Sequence, residues 1–172
     1  MFHTVLVATD GSKAASRAVD AAIDISLKYG SRLYIIHVLQ HGRAVEELER
    51  MAEIEGLVAG ISEPEPPAPT PEAAAVRTVL LESRHDGRVL SKIGEMILQR
   101  AAQRAREAGL GKVETLSANG DYADGILDAI DETSADLVVM GRRGLGKVRQ
   151  LLLGSVSNKV VQQSGAAVLL IH

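Results

Sequence analysis

The residues best suited to chemistry lie between positions 140 and 157. There the chain reads Met140-Gly141-Arg142-Arg143-Gly144-Leu145-Gly146-Lys147, then six residues, then Gly154-Ser155-Val156-Ser157. Glycines carry no Cβ, so their backbone N–H groups can approach an anion closely, and the start of a following helix adds unpaired N–H donors and a partial positive charge. These are the components of a phosphate site. Ser155 and Ser157 fall in the first turn of that helix, where one can cap it and both hydroxyls can face phosphate oxygens. Arg142, Arg143, Lys147 and Arg149 concentrate positive charge in the same stretch.

Two better-known phosphate motifs fail here on their chemistry. Gly141 to Lys147 satisfies GxxxxGK, but Val148 stands where a P-loop needs a hydroxyl for Mg²⁺. Only one strand-like run follows it, too little to build the rest of a P-loop sheet. The dinucleotide fingerprint GxGxxG is also absent, because Gly144-Leu145-Gly146 is followed by Lys147, Val148 and Arg149 without the third glycine.

The elements that must position these residues are legible as four short apolar runs: Val5-Leu6-Val7-Ala8, Leu33 through Val38, Leu137-Val138-Val139-Met140, and Ala167-Val168-Leu169-Leu170-Ile171. Continuous rather than alternating apolar residues indicate strands covered on both faces, as in parallel sheets. Val113 to Ser117 is a weaker fifth candidate. Between the runs lie helical patterns. Ala15, Ala18, Val19, Ala22 and Ile23 follow i, i+3, i+4 spacing, with Ser12 as N-cap and Gly30 just past the end. Ile93, Ile97, Ala101 and Ala105 share a second helical face, which stops at Gly109. A third helix starts near Asp121 and buries Ile126, Leu127 and Ile130, and a short fourth runs from about Ser155 to Gln163. Strict β-α alternation predicts an α/β fold, an open five-stranded parallel sheet with helices on both faces, which binds ligands at the carboxyl ends of its strands.

Residues from about 40 to 87 break this economy, being far longer than a usual strand-to-helix connection. All five prolines lie there, between Pro64 and Pro71, which predicts an extended, polyproline-like insertion within a single domain spanning residues 1–172. Residues 43–59 carry the pattern of an acidic helix, and residues 76–81 form a short apolar run. A lid or a partner-docking role for the insertion stands beside the plainer reading of a surface excursion.

Composition excludes much else. The 172 residues are 46% hydrophobic and 24% charged, with a formal net charge of −3, an ordinary globular balance that offers no broad electrostatic capture of nucleic acid or membrane. Cysteine is absent, which removes disulfides, thiolate chemistry and Cys-based metal sites and accords with a cytoplasmic setting. No apolar run approaches the roughly 20 residues of a membrane helix. His3, His37, His41, His85 and His172 share no metal-ligand spacing.

The spacing of Gly141, Gly144 and Gly154-Ser155, with two and then nine residues between them, resembles the G-2x-G-9x-G-(S/T) signature of the ATP-binding branch of the universal stress protein family. Val5-Leu6-Val7-Ala8-Thr9-Asp10-Gly11-Ser12 looks like that family's first strand and turn, and Ile35-Ile36-His37-Val38 like its second strand. The resemblance implies an adenine nucleotide alpha hydrolase-like, Rossmann-like fold. It places Asp10 at the ribose and the metal-phosphate region, as a candidate Mg²⁺ contact, with Ala8 and Thr9 beside it. It assigns adenine recognition to the backbone of Val38, the loop start to Met140, ribose and phosphate approach to Gly141 and Gly144, and the phosphate chain to Gly154, Ser155, Val156 and Ser157; Arg142 beside them is a candidate nucleotide contact or, like Arg143, a solvated loop charge. It further implies a homodimer through the last strand, at Val168, Leu169, Leu170 and Ile171.

On the residues alone, Asp10 could equally cap the first turn, and His37 reads as packed or bonded to backbone rather than catalytic. No nucleophile-base pair or water-activating residue is evident. The expectation is therefore an ATP-binding regulatory protein of the stress response, acting through an unidentified protein partner rather than by turnover. The alternatives are a slow ATPase or self-phosphorylating protein, a binder of AMP, ADP or cyclic AMP, and a nucleotide-free adaptor.

Overall fold

The computed structural model describes residues 2–39, 87–142 and 153–172. The Pro-rich segment and the expectations placed on it lie outside these residues, as do Arg143, Gly144, Gly146, Lys147 and Arg149. In chain order the described elements are β1 (Thr4–Ala8), α1 (Lys13–Tyr29), β2 (Arg32–Leu39), α2 (Gly87–Glu107), β3 (Val113–Asn119), α3 (Tyr122–Thr133), β4 (Leu137–Gly141), α4 (Ser155–Gln163) and β5 (Ala167–Ile171). The strands form one parallel sheet in the order β3-β2-β1-β4-β5.

The continuous apolar runs are explained by two cores, one on each face. Val5, Val7, Leu33, Ile35, Leu137 and Val139 point to the side covered by α1 and α2, whereas Leu6, Ile36, Val38, Val138 and Met140 point to the side covered by α3 and α4. A strand alternates its side chains, so a strand buried on both faces must be apolar at every position. Val5, Leu6 and Val7 are all fully buried, and each such side chain contributes about 1.5–3 kcal/mol relative to exposure.

Local chemistry sets the helix ends. The Ser12 hydroxyl accepts the Ala15 N–H at 3.1 Å, and Gly30 closes α1 at φ 67°, a left-handed value that costs glycine nothing. Asp121 caps α3 by accepting from Ala123 and Asp124. The Arg104 side chain crosses from α2 to α1, donating to Ser16 Oγ at 2.9 Å and pairing with Asp20.

Three expectations need adjusting. The buried stripe of α2 is Gly94, Leu98, Ala101, Ala102 and Ala105, while Ile93 and Ile97 flank it half-buried. Small residues lead because this helix sits close on β2. Leu127 of α3 is likewise half-buried rather than enclosed. β5 is an edge strand, so its apolar residues are only partly covered. At the opposite edge β3 is largely exposed, which accounts for its weak signal in the sequence.

Candidate functional site

β1 lies between β2, which follows it in the chain, and β4, reached only after the chain has crossed to the other side of the sheet. Open α/β sheets hold their ligands at such a reversal, in the crevice beyond the carboxyl ends of the two strands. The turn after β1 is built from its own side chains. Thr9 N donates to Ile36 O at 2.9 Å, Asp10 Oδ1 accepts the Ser12 N–H at 3.0 Å, and Thr9 Oγ1 accepts the Gly11 N–H at 3.3 Å. Gly11 has φ 77°, where a side chain would be strained. One carboxylate oxygen of Asp10 therefore holds the turn, and the residue remains half-buried at the crevice.

β2 outruns β1 at this end. The β1–β2 register stops at Ala8↔Ile36, while β2 stays paired with β3 as far as Leu39↔Asn119. The bonds Leu33 N to Lys112 O and Gly120 N to Leu39 O show that odd-numbered β2 residues direct their peptide groups toward β3, and Thr9 N to Ile36 O shows that even-numbered ones face β1. By this alternation the N–H and C=O of Val38 face the gap beyond the end of β1. Its side chain packs the other way, into the core under α3.

His37 is 2% exposed, and its Nδ1 lies 2.8 Å from Thr9 O. A carbonyl only accepts, so Nδ1 carries the proton, and Nε2 is buried with no hydrogen-bond partner among the described residues. Burial pushes the His37 pKa below its ordinary value, against the opposing influence of the Thr9 carbonyl and the Asp10 charge. His37 is packed and bonded to backbone.

On the other side of the crevice, Arg142 N donates to Ile171 O at 2.7 Å, extending the contact of β4 with β5. Arg142 O accepts from Gly154 N at 3.1 Å and from Ser157 Oγ at 2.8 Å, which pins the start of α4 to the end of β4. The N-cap of α4 is Gly154, with no side-chain cap bond. The first bond within the helix is Asn158 N to Gly154 O, at 2.9 Å. The N–H groups of Ser155, Val156 and Ser157 thus have no acceptor inside the helix, the arrangement that favours an anion.

Two serine roles differ from expectation. Neither serine caps the helix. The Ser157 hydroxyl is buried and directed at the Arg142 and Gly154 carbonyls, the latter at 3.0 Å, so its proton is engaged in holding the loop. Ser155 is exposed and keeps its hydroxyl at the helix start. Met140 is 5% exposed and its side chain belongs to the core, leaving only its backbone at the strand end.

Lys159 fastens α4 to α3, with Nζ 2.6 Å from Asp124 and 3.3 Å from Asp121. Asp121 is held below its usual carboxylate range, first by the Asp124 N–H and then with help from Lys159. Its neighbours Asp128 and Glu132 line a separate groove between β3 and α3, whose charge is wrong for phosphate. Among the described residues no cluster of three or more His, Asp or Glu side chains could hold a metal by itself.

The whole chain, residues 1–172, matches the family model described as the universal stress protein family. This chain belongs to the universal stress protein family. Among its relatives, the universal stress protein YxiE of Bacillus subtilis is 34% identical, with 100% of each chain covered. A universal stress protein of Thermus aquaticus is 31% identical, again with both chains covered completely. A solved universal stress protein in complex with cAMP is 26% identical with a TM-score of 0.64, covering 99% of this chain and 97% of that one.

Within this universal stress protein fold, Ala8, Thr9, Asp10, Val38, Met140, Gly141, Arg142, Gly154, Ser155, Val156 and Ser157 all lie at the carboxyl ends of β1, β2 and β4 or at the start of α4. Gly144 is outside the described residues. What sequence reasoning missed are the Lys159 bridge, the helix glycines Gly94 and Gly125, and which carbonyl His37 bonds. A lone glycine inside an amphipathic helical pattern is the available signal for such close packing.

Proposed function

We propose that this universal stress protein binds an adenine nucleotide at the β1–β4 reversal, and that the bound nucleotide regulates its contacts with another protein. The observation that carries the reading is the start of α4, anchored to β4 through the Arg142 carbonyl yet left without a side-chain cap at Gly154. Those N–H groups suit a phosphate, with the Ser155 hydroxyl at the same helix start and Arg142 at the end of the adjoining strand. The outward-facing peptide groups of Val38 offer a donor and an acceptor for the edge of a purine.

ATP is the ligand we favour. Asp10 fits the way Mg²⁺ is commonly held, by one or two carboxylates together with substrate phosphates, and Asp10 would hold such an ion while the Gly11–Ser12 turn fixes its carboxylate. The ion would supply neutralisation of phosphate charge. The cAMP complex of the 26% identical relative favours a second reading, in which the same cleft takes a single cyclic phosphate. We further propose a cytoplasmic homodimer through the half-covered edge strand β5, whose Val168, Leu169, Leu170 and Ile171 would be shielded by a second copy.

Calorimetric titration with ATP, ADP, AMP and cyclic AMP, with and without Mg²⁺, tests the reading, alongside Gly154→Val. Micromolar binding that the variant loses supports a nucleotide site, and the preferred ligand chooses between the two readings. Absence of binding by all four would overturn it. Intact mass after incubation with Mg-ATP separates regulation from self-phosphorylation, which would add one phosphate to the chain.

A further inference from the structure

β2 ends in a clamp formed by a glycine from each helix layer. On one face, a Cβ placed at Gly94 of α2 would come within 2.7 Å of His37 Cδ2 and 3.2 Å of Nε2. On the other, a Cβ at Gly125 of α3 would meet Val38 Cγ1 at 3.0 Å and Cγ2 at 3.1 Å. Glycine is among the poorest residues for a helix interior, so its presence opposite two successive β2 residues points to a need for close approach. The His37 ring fills the space between two fixed objects. One edge occupies the place a Cβ at Gly94 would need, and Nδ1 on the other edge donates to the Thr9 carbonyl at 2.8 Å. Thr9 is 7% exposed and directly precedes Asp10.

We propose that His37, seated against Gly94, is a positioning residue for the nucleotide site, setting the Thr9–Asp10 peptide from the α2 side and so coupling the placement of α2 to nucleotide affinity. This rests on the nucleotide reading above. His37 touches no ligand. It acts through Thr9, and because coupling free energies are reciprocal, nucleotide binding also restrains α2.

The two functions of the ring, donating and filling, are separable. Asn carries a side-chain N–H the same number of bonds from Cα as Nδ1 but lacks the ring edge that meets Gly94, whereas Leu fills space without donating. His37→Leu should weaken ATP binding about tenfold, the order of one hydrogen bond made by the ligand loop, while His37→Asn should stay within about threefold of wild type. Gly94→Ala should weaken binding in the wild-type background, since the ring is buried and pinned, and should cease to do so when combined with His37→Asn, which vacates the contested space. Hydrogen exchange of the Gly11 and Ser12 amides in the free protein reads the loop directly, with faster exchange in His37→Leu and Gly94→Ala than in His37→Asn. A merely structural role would lower thermal stability in all variants without this pattern of rescue.

If wild type binds ATP and His37→Leu binds equally well with unchanged exchange, the inference is overturned and the nucleotide reading survives. If Gly94→Ala weakens binding as much in the Asn background as in wild type, the coupling through His37 is refuted. If wild type binds none of the nucleotides, the nucleotide reading falls and the affinity coupling with it; slower or unchanged loop exchange in His37→Leu would then also remove the His37 support.

Discussion

Replacing Gly154 by Asp sets helix stability against anion binding. Gly154 has φ −69° and ψ 157°, which any residue adopts, so the backbone does not demand glycine there. An aspartate at this N-cap would accept the N–H of Val156 or Ser157, a gain of a few tenths of a kcal/mol over glycine as a cap. Its charge at the positive end of α4 adds about 0.3–1 kcal/mol. The variant should therefore be slightly more stable than wild type. The same carboxylate would occupy the donors that a phosphate needs, removing charge-assisted bonds of about 1.5–3 kcal/mol each. It would also repel a phosphate about 4 Å away by roughly 4 kcal/mol for each unit charge at an effective dielectric constant of about 20. Even half of that total corresponds to a loss of more than about 100-fold in affinity. Calorimetry with ATP and with adenosine, paired with thermal unfolding, is the assay. Adenosine carries no phosphate and should bind Gly154→Asp and wild type alike. The reasoning is refuted if ATP affinity changes by less than about threefold, or if adenosine loses as much as ATP does, which would place the damage elsewhere in the cleft.

Further outcomes follow from the supports around the site. His37 has its pKa lowered from 6.5, chiefly by burial, so on acidification through that value the unfolded chain takes up a proton that the folded chain resists, and stability falls as pH drops. Urea unfolding of wild type and His37→Asn between about pH 7.5 and 5 should show wild type losing more stability on the acid side, near the ordinary His pKa of about 6.5; parallel curves would remove His37 as the cause. Gly125→Ala gains about 1 kcal/mol in helix propensity but must displace the stiff, 7% exposed Val38, an overpacking cost of about 1–3 kcal/mol. The net expectation is destabilisation by up to about 2 kcal/mol in urea unfolding, and a stabilised variant would show that Val38 gives way freely. Asp121→Ala removes the α3 cap and one partner of Lys159, which should cost about 1 kcal/mol, measured as a lowered unfolding midpoint.

The fold was legible because its causes are local or periodic. Four runs of apolar residues announced strands buried on both faces, and Ser12, Gly30 and Asp121 marked helix ends by hydrogen-bonding chemistry that acts over two to four residues. The spacing from Gly141 to Gly154-Ser155 was equally visible, and with it the family. The edge positions were not, since strand composition carries no record of neighbours: β5 reads as fully covered although only one side of it meets another strand.

Residue types settled by themselves which chemistry was available to this chain: no thiol, no histidines at metal-ligand spacing, and glycines with hydroxyls at a strand-to-helix turn. What each residue does there was decided by tertiary contacts. Ser157 looks in sequence like a second phosphate hydroxyl, yet the folded chain turns it onto the Arg142 carbonyl, 15 residues away in sequence. His37 reads in sequence as packed or bonded to backbone, and the folded chain chose the partner, Thr9 across 28 residues, and set the ring against Gly94. A hydroxyl or an imidazole can donate to any carbonyl within reach, and which carbonyl that is depends on how distant strands and helices pack, a relation between segments that local sequence does not encode.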